Sequence, residues 1–147
     1  MGHSYTSNHI HCVFSTKDRR AIIKPEQQEK LWAYLLGIAR NLGIESLAIG
    51  GTGDHVHVLV AIPAAASVAE LMSKLKANSS RWMREHGTDF SWQEGYGAFS
   101  VGASQIGMVK NYIHHQAEHH KTRSFEEEFI ALLQKYDVRY DPKYMFG

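Results

Sequence analysis

Ile44-Glu45-Ser46-Leu47-Ala48-Ile49, then Gly50-Gly51-Thr52-Gly53-Asp54, then His55-Val56-His57-Val58-Leu59-Val60-Ala61-Ile62 follow one another in the chain. The first segment is an apolar run of strand length, the second a glycine-rich tight turn, and the third a valine-rich strand that Pro63 ends. Together they predict a β-hairpin. Side chains two residues apart on a strand share a face. His55 and His57 therefore project together while Val56 turns into the core.

Upstream, Pro25 suits the first turn of a helix that runs to Leu42. Leu31, Trp32, Leu35, Ile38, Ala39 and Leu42 keep helical spacing along it, and Gly43 fits its terminator. Before that helix, His9 to Thr16 reads as a strand, with Ile10, Cys12 and Phe14 on one face and His9, His11, Val13 and Ser15 on the other. Lys17, Asp18, Arg19 and Arg20 make a charged loop after it. Downstream, Ser67 and Glu70 read as a capping box that opens a second helix. Val68, Leu71, Met72, Leu75, Trp82 and Met83 lie on one arc of this helix, with Lys74, Arg81 and Arg84 on the other. Tyr96 to Gly102 is a fourth strand, a third helix begins near Ser104, and a short one begins at Ser124 with Glu127 as a second capping box.

Strand, helix, strand, strand, helix, strand and two more helices, without repeat or linker, predict one domain over residues 1–147. The order fits an α+β fold, a ferredoxin-like antiparallel sheet with helices packed on it and extra C-terminal helices. A hydrophobic share of 44% excludes a disordered or low-complexity chain. The one cysteine, Cys12, excludes an internal disulfide and a cysteine-based zinc site, and fits the cytoplasm. No apolar run reaches membrane-spanning length, and no secretory signal opens the chain. Met1-Gly2 with Thr6 matches the loose N-myristoylation pattern, which is common by chance. The net charge of +1 is no electrostatic footprint for nucleic acid, whereas ten histidines raise the odds of a metal or proton-transfer site.

Two constellations carry chemistry. His55 and His57 can reach one divalent cation, although a bare His-x-His also fits two polar residues on a solvated strand face. The second is Lys110-Asn111-Tyr112-Ile113-His114-His115-Gln116-Ala117-Glu118-His119-His120. On a continuous helix Tyr112, Gln116 and His119 line one face beside a buried stripe of Ile106, Val109, Ile113 and Ala117. A tyrosine at the core border with its hydroxyl in water fits the same pattern. Two imidazoles and an amide oxygen make a three-ligand site with open positions, suited to manganese or magnesium. One helical turn away, Tyr112 would hold its oxygen near a bound phosphate.

The pair His55-Val56-His57, with Tyr112 and Gln116, resembles the single-tyrosine HUH transposases of the smallest bacterial insertion sequences. The resemblance spans nearly the whole chain. It includes Val13-Phe14-Ser15-Thr16-Lys17 with Arg19-Arg20, and Lys76-Ala77-Asn78-Ser79-Ser80-Arg81-Trp82. It continues through Trp92-Gln93, Gly95-Tyr96-Gly97-Ala98-Phe99-Ser100-Val101, and Tyr112-Ile113 with Gln116 and His119-His120-Lys121.

The resemblance implies that His55, His57 and Gln116 hold the metal. Tyr112 would attack a DNA phosphate, leaving a 5′-phosphotyrosine and a free 3′-hydroxyl, with no nucleotide cofactor. It further implies a homodimer acting on single-stranded, hairpin-bearing element ends, in which the tyrosine helix can complete the partner's site. His119 would assist proton transfer or support the site. Lys17, Arg19, Arg20, Lys74, Arg81 and Arg84 would hold phosphates, although a solvated basic face fits them as well. Three rivals share these residues: a cellular nuclease acting on repeated chromosomal hairpins, a non-catalytic module that binds hairpin nucleic acid, and a metal-dependent hydrolase. The hydrolase would need more carboxylate ligands than Asp54 supplies.

Overall fold

Four strands, β1 (His9–Ser15), β2 (Glu45–Gly51), β3 (His55–Ala61) and β4 (Gly97–Val101), form one antiparallel sheet in the order β2-β3-β1-β4. The computed structural model describes residues 3–145, so Met1 and Gly2 of the myristoylation pattern lie outside the described residues. Each helical connection passes over one strand, which is the interleaved β-α-β topology of the ferredoxin-like fold. The sheet is covered on both sides.

On one side, Ile10, Cys12 and Phe14 of β1 and Val56, Val58 and Val60 of β3 pack under α1 (Pro25–Asn41) and α2 (Val68–Glu85). Leu31, Leu35 and Ala39 come down from α1, and Leu71, Met72, Leu75 and Met83 from α2. Gly43, at φ 74°, ends α1 in the left-handed region that favours glycine. Ser67 accepts a hydrogen bond from the Glu70 amide and so caps α2.

The other side carries the polar residues. There α3 (Ile106–His114), a one-turn α4 (Gln116–His119) and α5 (Phe125–Lys135) cover His11, Val13, His55, His57, Leu59 and Phe99. Ser124 and Glu127 make the capping box expected at the start of α5. Burying polar groups is costly unless each finds a partner. His11, His55, His57, Gln116 and Glu128 are all buried in this layer, and they satisfy one another.

Two local features depart from the sequence reading. The pairs Gly50↔His57 and Gly51↔Val56 extend β2, so the turn shrinks to Thr52-Gly53-Asp54, closed by the Thr52 amide on the His55 carbonyl at 3.1 Å. Gly50 lies directly beneath α3, where an added Cβ would collide with the Ile113 carbonyl oxygen. The third helix is also not continuous. It is preceded by a 3₁₀ turn at Ala103–Gln105 and breaks at His115, whose φ and ψ are −110° and 26°. The His115 ring takes the Asn111 carbonyl at 2.7 Å, and the His115 amide turns to Tyr112 instead. A side chain has displaced the backbone donor that would have continued the helix.

Candidate active site

His55 is fixed from below by the turn. Its Nδ1 lies 2.7 Å from Asp54 Oδ1 and 3.0 Å from Thr52 Oγ1, while its Nε2 points at Gln116 Oε1, 2.8 Å away. Burial by itself would raise the Asp54 carboxyl, but the His55 hydrogen bond and charge hold it below its ordinary value. Asp54 is thus an anion that can accept a hydrogen bond from His55 Nδ1 and hold the ring with Nε2 toward the Gln116 amide. His55 Nε2 and Gln116 Oε1 face each other at hydrogen-bond distance.

His57 is held in the same manner from the neighbouring strand. Its Nδ1 lies 2.7 Å from His11 Nε2, and its Nε2 lies 2.9 Å from Glu128 Oε1. Burial pushes His57 down to about 4 against the opposing pull of Glu128, and pushes His11 down to about 3. Both rings are neutral at pH 7, and each can fix the tautomer of the other.

Glu128 joins the groups together. Its Oε1 also lies 3.6 Å from His55 Nε2 and 3.1 Å from His120 Nε2, and its Oε2 accepts the Tyr112 hydroxyl. Burial alone would raise this carboxyl, but the His120, His57 and Tyr112 hydrogen bonds hold it well below the usual range. Burial and the adjacent carboxylate together push the Tyr112 phenol well above its usual value, with Gln116 and Arg123 opposing them. Arg123 Nη2 stands 3.4 Å from the phenol oxygen, and the His119 ring stacks on the Tyr112 ring at 4.6 Å.

The donor set fits a divalent cation. One donor atom each from His55, His57 and Glu128 all lie within 4.8 Å of one another, with Gln116 Oε1 alongside. Ligands of one octahedral ion at about 2.1 Å stand about 3 Å apart. The Nε2-to-oxygen separations of 2.8, 2.9 and 3.6 Å bracket that value. His55, His57, Gln116 and Glu128 are the residues that would hold such an ion. Asp54 and His11 stand behind the imidazoles, where outer partners of histidine ligands would stand.

The structure therefore brings His55, His57, Tyr112, Gln116 and His119 together. It corrects two details of the sequence reading. Gln116 opens α4 rather than continuing the tyrosine's helix. His119 is also not alone among the later histidines in facing the site, because His120 reaches Glu128 and lies 4.4 Å from the His55 ring. The basic residues are not drawn in. Lys74, Arg81 and Arg84 are on α2, across the sheet, where Arg81 bonds Asn78 and Arg84 bonds the Phe90 carbonyl. Lys17, Arg19 and Arg20 lie in the loop after β1, and Arg19 pairs with Glu126 of α5 at 3.4 Å.

Sequence reasoning missed Glu128, His120, Arg123 and the role of His11. A signal for Glu128 was present, since it is an acid inside the buried stripe Phe125, Phe129, Leu132 and Leu133 of α5.

A histidine pair on an inner strand of this fold, with a single tyrosine beside it from a covering helix, defines the class: a single-tyrosine HUH enzyme, a single-strand DNA transposase. Residues 4–116 match the family model described as "Transposase IS200 like", and the chain belongs to that family. The chain is 28% identical over 129 residues to the transposase for insertion sequence element IS200 of Salmonella typhimurium LT2, covering 82% of this chain and 84% of that one. The Salmonella typhi counterpart matches to the same extent.

Two solved structures share the fold. A Deinococcus radiodurans R1 protein described as a transposase superposes with a TM-score of 0.62 at 24% identity, over 79% of this chain and 96% of that one. A REP-associated tyrosine transposase bound to a REP hairpin gives 0.60 at 14% identity, over 78% of this chain and 70% of that one. The family match ends at Gln116, so His120, Arg123 and Glu128 lie beyond it.

Proposed function

We propose that Tyr112 is the nucleophile of this transposase, cutting single-stranded DNA at hairpin-bearing element ends. The observation that carries the reading is the carboxylate shared by Tyr112 and His57, which ties the attacking oxygen to the ligand pair. Tyr112 Oη, oriented by its hydrogen bond to Glu128 Oε2, attacks the scissile phosphorus and releases its proton to solvent. The bond from phosphorus to the 3′-oxygen breaks, and that oxygen leaves as a hydroxyl, taking a proton. The product is a 5′-phosphotyrosine. Attack by a 3′-hydroxyl reverses the step and joins the strand elsewhere without a nucleotide cofactor.

His55, His57, Gln116 and Glu128 would hold a manganese or magnesium ion, which when bound neutralises charge on the scissile phosphate. Arg123 steadies the phenol oxygen from the other side. Lys17, Arg19 and Arg20, with Lys74, Arg81 and Arg84 on α2, contact phosphates away from the cut. A hairpin substrate is supported by the hairpin bound to one structural neighbour. The protein works in the cytoplasm as a homodimer, although Tyr112 here meets the histidine pair of its own chain.

The test is a covalent-adduct assay. Labelled single strands copied from both flanks of the gene are incubated with protein and manganese or magnesium, then run on a denaturing gel. The expected result is a DNA-linked band that needs the metal and is absent from Tyr112→Phe. No adduct from the unmodified protein overturns the reading, and an adduct from Tyr112→Phe overturns the nucleophile.

A further inference from the structure

A cavity of about 310 Å³ opens beside Tyr112, lined from β1, α3 and α5. It is of the size of the smaller ligand clefts. Its walls include three rings, His11, Tyr112 and Tyr136, together with Gln105, Arg123 and Lys135. The rings are fixed: His11 by its bond to His57, Tyr112 by Glu128, and Tyr136 by stacking on Phe99 at 4.9 Å. At its edge Met108 is 66% exposed, a large apolar side chain in solvent beside the site.

The wall charges are of one sign. Arg123 and Lys135 line the cavity, and no carboxylate does so among the described residues. Arg123 stands at the nucleophile itself, 3.4 Å from Tyr112 Oη. Rings, an amide with both a donor and an acceptor, and cations beside them match a nucleotide, which joins a flat base to an anionic backbone, better than an aliphatic ligand. Rings offer stacking to any base, and the cations meet the backbone.

We propose that this cavity is a nucleobase subsite. It receives one base of the single strand, taken out of the stack, from a nucleotide next to the phosphate that Tyr112 attacks. Arg123 and Lys135 hold the flanking backbone, Gln105 meets the base edge and Met108 covers the base. The inference rests on the proposed function, because it presumes that a single strand lies at Tyr112.

The test walks an abasic site along an element-end strand through the nucleotides on each side of the mapped cut. With the unmodified protein, one position adjoining the cut slows adduct formation by about tenfold, as loss of one stacked base should. Ala131→Phe fills the cavity wall. It slows cleavage of the intact strand to a similar degree, but cuts the strand lacking that one base as fast as the unmodified protein does.

If no abasic position slows the unmodified protein, the subsite is wrong whatever the variant does. If Ala131→Phe cuts the intact strand at the unmodified rate, or slows the strand lacking that base as much as it slows the intact one, the cavity is not where the base goes. These outcomes leave the transposase reading standing, whereas no adduct from the unmodified protein on any strand overturns both.

Discussion

The Tyr112 hydroxyl donates to the carboxylate of Glu128, which also takes a hydrogen bond from His57. One buried acid therefore governs both halves of the site. It keeps the phenol protonated and in place, and it adds an oxygen to the two imidazoles that can hold an ion.

Glu128→Gln keeps the shape of the side chain but removes its charge. Manganese binding, followed by calorimetry, should weaken by about tenfold or more, the usual cost of losing a partner at a metal site. Unchanged affinity would show that Glu128 serves Tyr112 alone.

His11 touches no substrate in the proposed reaction and acts through His57, whose Nδ1 it meets at 2.7 Å. His11→Phe should weaken manganese binding by about 10- to 100-fold and leave a buried ring nitrogen unpaired, at about 1–3 kcal/mol of stability. His11→Gln, which restores an acceptor, should recover part of both losses. If His11→Phe binds manganese as tightly as the unmodified protein, the orienting role is wrong.

Acid should destabilise the protein once chelator has stripped it of metal. In the folded chain His57 and His11 titrate near 4 and 3 rather than 6.5. As pH falls below 6.5 the unfolded chain takes up protons that the folded chain refuses. Each histidine then costs up to about 1.4 kcal/mol per pH unit until its folded value is reached. The depressed Glu128 carboxyl acts in the same direction, since its contribution is complete above its unfolded value and is lost only in strong acid. Tm measured in chelator should therefore fall steadily from pH 6.5 to 4. A flat profile would mean that these rings are protonated in the native state.

The architecture was legible because its signals are local. The alternation in β1 and β3, the glycine turn and the caps at Ser67 and Ser124 each lie within a few residues. The paired projection of His55 and His57 follows from strand geometry alone, and Tyr112 and Gln116 remain neighbours despite the break at His115. Glu128 stayed hidden because 71 residues separate it from His57, and because Glu126, Glu127 and Glu128 together look like an ordinary acidic first turn. The three acids take three different tasks: Glu126 pairs with Arg19, Glu127 closes the cap, and Glu128 turns inward. His11 was hidden for a similar reason, as a polar residue in a strand whose two faces are both covered.

Gly50 sits where no side chain can, beneath the Ile113 carbonyl and one residue along the helix from Tyr112. The closeness of α3, and so of Tyr112, to the sheet thus depends on an absent methyl group on an edge strand, at a position with no chemistry of its own. A descendant copy with alanine there would retain every histidine, the tyrosine, the glutamine and the glutamate, yet its helix α3 and its strand β2 would have to move apart. Counting the site's side chains would score that copy as unchanged, whereas the change would be written in a spacer.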